Sequence, residues 1–256
     1  MAAKDEAAEK VAKRWRDGQS DISDVCNKTW LTRAYLSGQQ WVQRDTMTDH
    51  LREMPRNPDR VRATINRMGP DSRRLIAKLT ASPLRYEVTP ETPDDAARRG
   101  AALGTAILGD MVREHDWQSH YLDHAWTTWE GGVGIVWVDW DARAGKEAGR
   151  DAKGKRIAIG EPCLTVVSPT EIATTPGTRD IRFAQRVIRA IATPPEEVME
   201  RYGLKTEPKA DSLAQTTYLT RAMRAGRQSV TPETTTVLVQ YERPGPDREG
   251  KITHVV

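Results

Sequence analysis

The chain has 256 residues with 39 basic and 36 acidic side chains, and a formal net charge of only +3 excludes a global electrostatic clamp on nucleic acid. Hydrophobic residues make up 38% and charged residues 29%, a balance that supports a globular core, while no apolar run approaches the roughly 20 residues of a membrane span. Residues 1–10 are alanine-rich and charged without the apolar stretch of a secretory signal, and Cys26 and Cys163 match neither a disulfide framework nor a zinc spacing. Cytosolic synthesis with two free thiols is the expectation.

Residues 4–17 have a helical composition that Gly18 ends, and Asp21 and Ser23 are candidate N-caps for a second helix through Ser37. Gly38 releases the backbone into Gln39-Gln40-Trp41, and the prolines in 53–58 predict a loop. Val61, Ile65, Met68, Leu75 and Leu79 recur at spacings of four, three or their sum, which predicts one stripe of a long helix, kinked or divided at Gly69-Pro70. Residues 84–89, with Tyr86 and Val88 between Pro83 and Pro90, predict a short strand.

Pro93 suits the first turn of a helix that reaches about Glu114 with Leu103, Ile107, Met111 and Val112 on one face. Residues 117–129 predict another, with Tyr121, Leu122, Ala125, Trp126 and Trp129 at helical spacing until Gly131-Gly132 stops it. The β-branched run 133–140, the polar stretch 144–154 and the return 156–159 predict a long-tipped hairpin. A strand at 164–167, a short helix at 194–202, and a strand 234–241 paired with 252–256 complete the order. The class is therefore α+β, with amphipathic helices against a small, mostly antiparallel sheet and a long β-hairpin. The polar stretches 144–154 and 205–227 are expected at the periphery.

Chemistry-bearing spacings are few. His120 and His124 are an i, i+4 pair, but they lack the glutamate of the zinc-protease motif and a distant third ligand. Asp139 and Asp141 share a strand face at period two and could hold a divalent cation, or solubilise a hairpin. The glycines of Glu130-Gly131-Gly132-Val133-Gly134 run from helix to strand, the reverse of a phosphate loop, and suit a reversal needing positive φ. No catalytic, cofactor-binding or metal site is expected. Eight tryptophans against one phenylalanine supply core, with one or two as candidate interface anchors. Residues 52–85 hold nine basic and three acidic side chains, and residues 87–130 reverse this with three and nine.

Several of these segments, in this order, resemble a family. They are Trp30-Leu31-Thr32-Arg33-Ala34-Tyr35-Leu36-Ser37-Gly38-Gln39-Gln40-Trp41, the stretch 60–79 with Asn66, Pro83-Leu84-Arg85-Tyr86-Glu87-Val88-Thr89-Pro90, Trp129-Glu130-Gly131-Gly132-Val133-Gly134 into 135–141, Val167-Ser168-Pro169-Thr170-Glu171-Ile172, and Thr193-Pro194-Pro195-Glu196-Glu197-Val198 with Tyr202. Together they resemble the portal, or head-to-tail connector, proteins of tailed double-stranded DNA bacteriophages, in the podovirus-like branch. The resemblance implies a wing-like domain at 59–256 behind a helical segment and loop at 1–58, with the clip, stem and crown regions expected to be absent after 256. It also implies a homo-oligomeric ring, typically of twelve subunits, at one capsid vertex of the virion. Double-stranded DNA passes through such a ring during packaging and ejection, and terminase, tail adaptor, coat and scaffold protein dock on it.

A ring uses head-to-tail contacts and needs two unlike surfaces. The opposite-sign segments nominate Arg73, Arg74 and Lys78 facing Asp94, Asp95 and Asp110, with neutralisation inside one subunit as the competing arrangement. The alternatives are a metal-dependent nucleic-acid-processing enzyme using Asp139, Asp141 and His120, and a phage DNA-binding module using residues 52–85 or a head-tail adaptor.

Overall fold

A computed structural model describes residues 2–44, 51–150, 154, 156–206, 234–244 and 249–256. The fold is α+β, with helices and antiparallel sheets. The chain divides into two compact units that are discontinuous in sequence, whereas the linear reading placed its boundary after 58. Unit 1 is 1–69, 130–132 and 168–256, and unit 2 is 70–129 and 133–167.

Unit 1 is built on a four-stranded antiparallel sheet in the order β10-β9-β8-β7, from β7 (Ile172–Thr174), β8 (Arg186–Thr193), β9 (Thr235–Glu242) and β10 (Lys251–Val255). Alternation along β8 and β9 gives the sheet two apolar faces. Ile188 and Ala190, with Leu238 and Val255, pack against Val11 and Trp15 of α1 (Ala2–Asp21). Ile191, Val237, Val239 and Tyr241 pack against Val198 and Tyr202 of α6 (Pro195–Tyr202). The expected pairing of 234–241 with 252–256 is present as β9 and β10, and Gly203 closes α6 at φ +67°. Among the described residues the unit also holds α2 (Ser23–Leu36), the small antiparallel pair β1 (Val42–Arg44) and β2 (Leu51–Glu53), and 3-10 turns at Pro169–Glu171 and Ile181–Phe183.

Helix α1 runs through Gly18 instead of stopping there. A Cβ at Gly18 would lie 2.6 Å from the Thr174 carbonyl oxygen and 2.9 Å from the Ala173 Cβ. The glycine therefore lets helix and sheet approach closely, and the chain signals a packing contact where composition suggests a terminus. Neither expected N-cap acts as one: α2 starts behind Ile22 without a side-chain cap bond, and the Asp21 carboxylate accepts the Gly177 amide at 3.0 Å.

Unit 2 holds α3 from Pro70 onward (α3 is Met68–Leu79 in full), α4 (Asp95–Glu114), most of α5 (Trp117–Gly131) and a long β-hairpin. Helices α3 and α5 lie antiparallel, joined by Trp129 Nε1 donating to Ser72 Oγ at 3.0 Å and Gln118 Nε2 donating to the Thr80 carbonyl at 2.9 Å. The expected long helix does not form before Met68: residues 61–67 have no regular structure, with Val61 96% and Ile65 75% exposed. Pro70 sits in the first turn of α3, where its missing N–H leaves no intrahelical bond unmade. The buried line of α3 is Ser72 and Ile76, continued by Thr80 just past its end, one helical flank away from Leu75 and Leu79. Residues 84–89 do not form a strand, and among the described residues no strand pairs with them. Side chains hold this segment instead, through Val88 N donating to Thr105 Oγ1 at 3.0 Å and Tyr86 edge-on to Trp117 at 5.4 Å. Pro93 precedes the Asp94 N-cap of α4 and lies outside the first turn.

The hairpin is present with a different pairing. β3 (Ile135–Asp141) pairs in register with β6 (Glu161–Val167), and β4 (Glu147–Arg150) pairs with β5 (Arg156–Ala158), so 156–159 is not the partner of 133–140. Bonds from Ile159 N to the Lys146 carbonyl and from Gly160 N to the Ala144 carbonyl, both 3.0 Å, carry one segment into the next. Residues 147–150 of the expected polar tip are therefore strand. Residues 151–153 and 155, and all of 207–227, lie outside the described residues.

Candidate functional site

Residues from three segments, 30–41, 129–134 and 167–172, meet in unit 1 at a buried polar junction. Arg33 of α2 donates from Nε to Glu130 Oε2 at 2.9 Å and from Nη2 to Ser168 Oγ at 3.2 Å. The two charged side chains are 5% and 4% exposed. Ser168 Oγ in turn lies 2.9 Å from Thr170 Oγ1, and the Arg33 guanidinium stacks over Trp30 at 5.4 Å. Arg33 Nη1 is buried without a hydrogen-bond partner among the described residues.

Close packing frames the same point. A Cβ on Gly131 would stand 2.7 Å from Thr29 Oγ1 and 3.3 Å from Pro169 Cγ, so a larger residue cannot follow Glu130 into this junction. Asn66 ties the end of α2 to the start of α3, donating to the Leu36 carbonyl at 2.8 Å and accepting the Gly69 amide at 3.0 Å. Burial pushes the neighbouring Cys26 thiol up to about 11, against a smaller opposing effect of the Arg33 charge. A paired, desolvated cation among hydroxyls joins three chain segments here.

The glycine run divides its work. Gly132 takes φ +73° at the helix-to-strand reversal, as expected, whereas Gly131 and Gly134 have no positive φ. Gly134 is instead closed in by Thr128 Oγ1 and His124 Nε2, again a requirement of space.

The six nominated interface residues are all on unit 2. Arg73, Arg74 and Lys78 lie on α3, Asp95 and Asp110 on α4, and Asp94 caps α4 by accepting the Ala97 amide at 2.7 Å. The Thr92 hydroxyl, and then the Ala97 amide, hold the Asp94 carboxyl below its ordinary range. Ion pairs here are local: Arg74 with Asp71 at 3.8 Å, Arg98 with Asp95 at 4.0 Å, and Arg113 with Asp110. Among the described residues no ion pair joins the three nominated cations to the three nominated acids.

Unit 2 also leaves large apolar side chains in solvent in ordered rows. Leu75 and Leu79 are one turn apart on α3, and Leu103, 63% exposed, and Ile107 are one turn apart on α4. On β3, Val136, Val138 and Trp140 share one face, with Val138 67% and Trp140 59% exposed. Across from them on β6 stand Val166, Leu164 and Pro162. Among the described residues neither β3 nor β6 has a further strand partner.

Asp139 and Asp141 do share the other face of β3, but each turns back on its own backbone, accepting the Trp140 amide at 2.8 Å and the Arg143 amide at 2.9 Å. Among the described residues no group of three His, Cys, Asp or Glu side chains could hold a metal ion, and no helix is long and apolar enough to cross a membrane.

No family model and no curated protein matches this chain. The junction of Arg33, Glu130 and Ser168 escapes spacing analysis because its members are 97 and 135 residues apart along the chain.

Proposed function

We propose that this chain is a non-enzymatic structural subunit that closes into a ring through unit 2, the wing region of a tailed-phage portal. The observation that carries this reading is the set of apolar rows left in solvent by α3, α4 and the β3–β6 ribbon. Single exposed leucines are ordinary, but rows at helical and strand spacing form patches that a partner covers. Successive copies in a ring bury such rows repeatedly, which a cyclic head-to-tail assembly requires. The resemblance supplies the rest: a ring at the unique capsid vertex of the virion, a channel for double-stranded DNA, and docking of terminase, tail adaptor, coat and scaffold protein.

Mass photometry and negative-stain imaging of the full-length protein test the proposal. Closed rings of many copies are the expected result. A single-subunit mass across the accessible concentration range refutes it.

A further inference from the structure

Each of two helices in unit 2 pairs an apolar row with a row of charge, and the two charges are opposite. On α3, Leu75 and Leu79 stand beside Arg74 and Lys78, also one turn apart. On α4, Leu103 and Ile107 continue along the same flank into Asp110 and Glu114. All eight side chains are exposed.

We infer that α3 of one copy docks on α4 of the next, leucine row against leucine-isoleucine row, with Arg74 and Lys78 over Asp110 and Glu114. This rests on the ring reading above and names the contact that would build it. Like-with-like packing is disfavoured, since α3 on α3 would oppose cations and α4 on α4 would oppose carboxylates. The complementary arrangement is heterologous, the kind that closes rings. The local partners Asp71 of Arg74 and Arg113 of Asp110 are exposed i, i+3 pairs, which hold little energy and exchange readily for intersubunit partners. Of the residues nominated from charge alone, Arg73 lies across the buried line of α3, and Asp94 and Asp95 sit at the far end of α4. The contact therefore replaces them with Glu114. The ribbon face of Val136, Val138 and Trp140 carries no charge in its rows, so nothing there specifies its cover.

Two variants of the full chain test the contact, each spoiling one surface: Leu75→Glu with Leu79→Glu, and Leu103→Lys with Ile107→Lys. Each alone is expected to be monomeric, and mixed in equal amounts they are expected to form a one-to-one heterodimer and stop, because the pair retains one intact copy of each surface. Charge reversal gives a gentler perturbation. Arg74→Glu with Lys78→Glu is expected to raise the concentration needed for rings about tenfold or more, and adding Asp110→Lys with Glu114→Lys in the same chain is expected to restore assembly. Circular dichroism checks that each variant is folded. Rings of unchanged size from both apolar variants overturn the contact and leave the ring reading standing. Loss of rings without heterodimer formation and without rescue by the double reversal also overturns it. A monomeric wild-type protein overturns the ring reading, and this inference with it.

Discussion

Replacing Arg33 by alanine tests whether the buried junction organises unit 1. The guanidinium and the Glu130 carboxylate are almost fully withdrawn from water and joined at 2.9 Å. Removing the cation leaves the carboxylate buried without its main partner, a defect that costs about 3–5 kcal/mol. The same change removes the 3.2 Å donor to Ser168 and the cation over Trp30, so the upper part of that range is expected. Set against a typical total of about 5–15 kcal/mol, the loss is severe. Urea unfolding followed by tryptophan fluorescence measures it. The double replacement Arg33→Met with Glu130→Leu is expected to recover most of the loss, because Arg33 Nη1 lacks a partner among the described residues and the desolvation of the guanidinium is incompletely offset. A loss below about 1 kcal/mol for Arg33→Ala, the range of a surface pair, would refute the reasoning.

Three further outcomes follow from named geometry. Gly18→Val is expected to destabilise unit 1 by about 1–3 kcal/mol in the same urea assay, since its first side-chain carbon meets the Thr174 carbonyl oxygen at 2.6 Å, and an unchanged midpoint would contradict the close approach. Gly132→Ala is expected to cost about 1–2 kcal/mol because φ is +73° with open space around it, so any penalty is conformational; no cost at all would contradict the reversal. At pH 8 the exposed Cys163 is expected to react with a thiol reagent while Cys26, pushed up to about 11 by burial, stays protonated and unreactive until the protein is unfolded. Equal labelling rates in the native protein would contradict the burial of Cys26.

Much of the element order could be read directly from the chain, because local signals are enough to specify it. Gly38 as a helix end, the apolar stripes of 103–112 and 121–129, and the β-branched runs at 133–140 and 234–241 all act within a few residues of their own positions. The α+β class followed from them. Tertiary structure alone decided which elements meet. Gly18 ends no helix, because a sheet 155 residues further along needs its missing side chain. The segment 84–89 has strand composition and no strand partner, and 133–140 chose Glu161–Val167 over a nearer return, since backbone pairing is settled by what lies alongside. Apolar spacing on α3 and α4 marked real rows, yet the buried positions of these two helices and of the residue after α3 are Ser72, Ile76, Thr80 and Ala101, and the leucines were left outside. Periodicity reports that a face is apolar. Only packing decides whether that face is covered within the chain or offered to another.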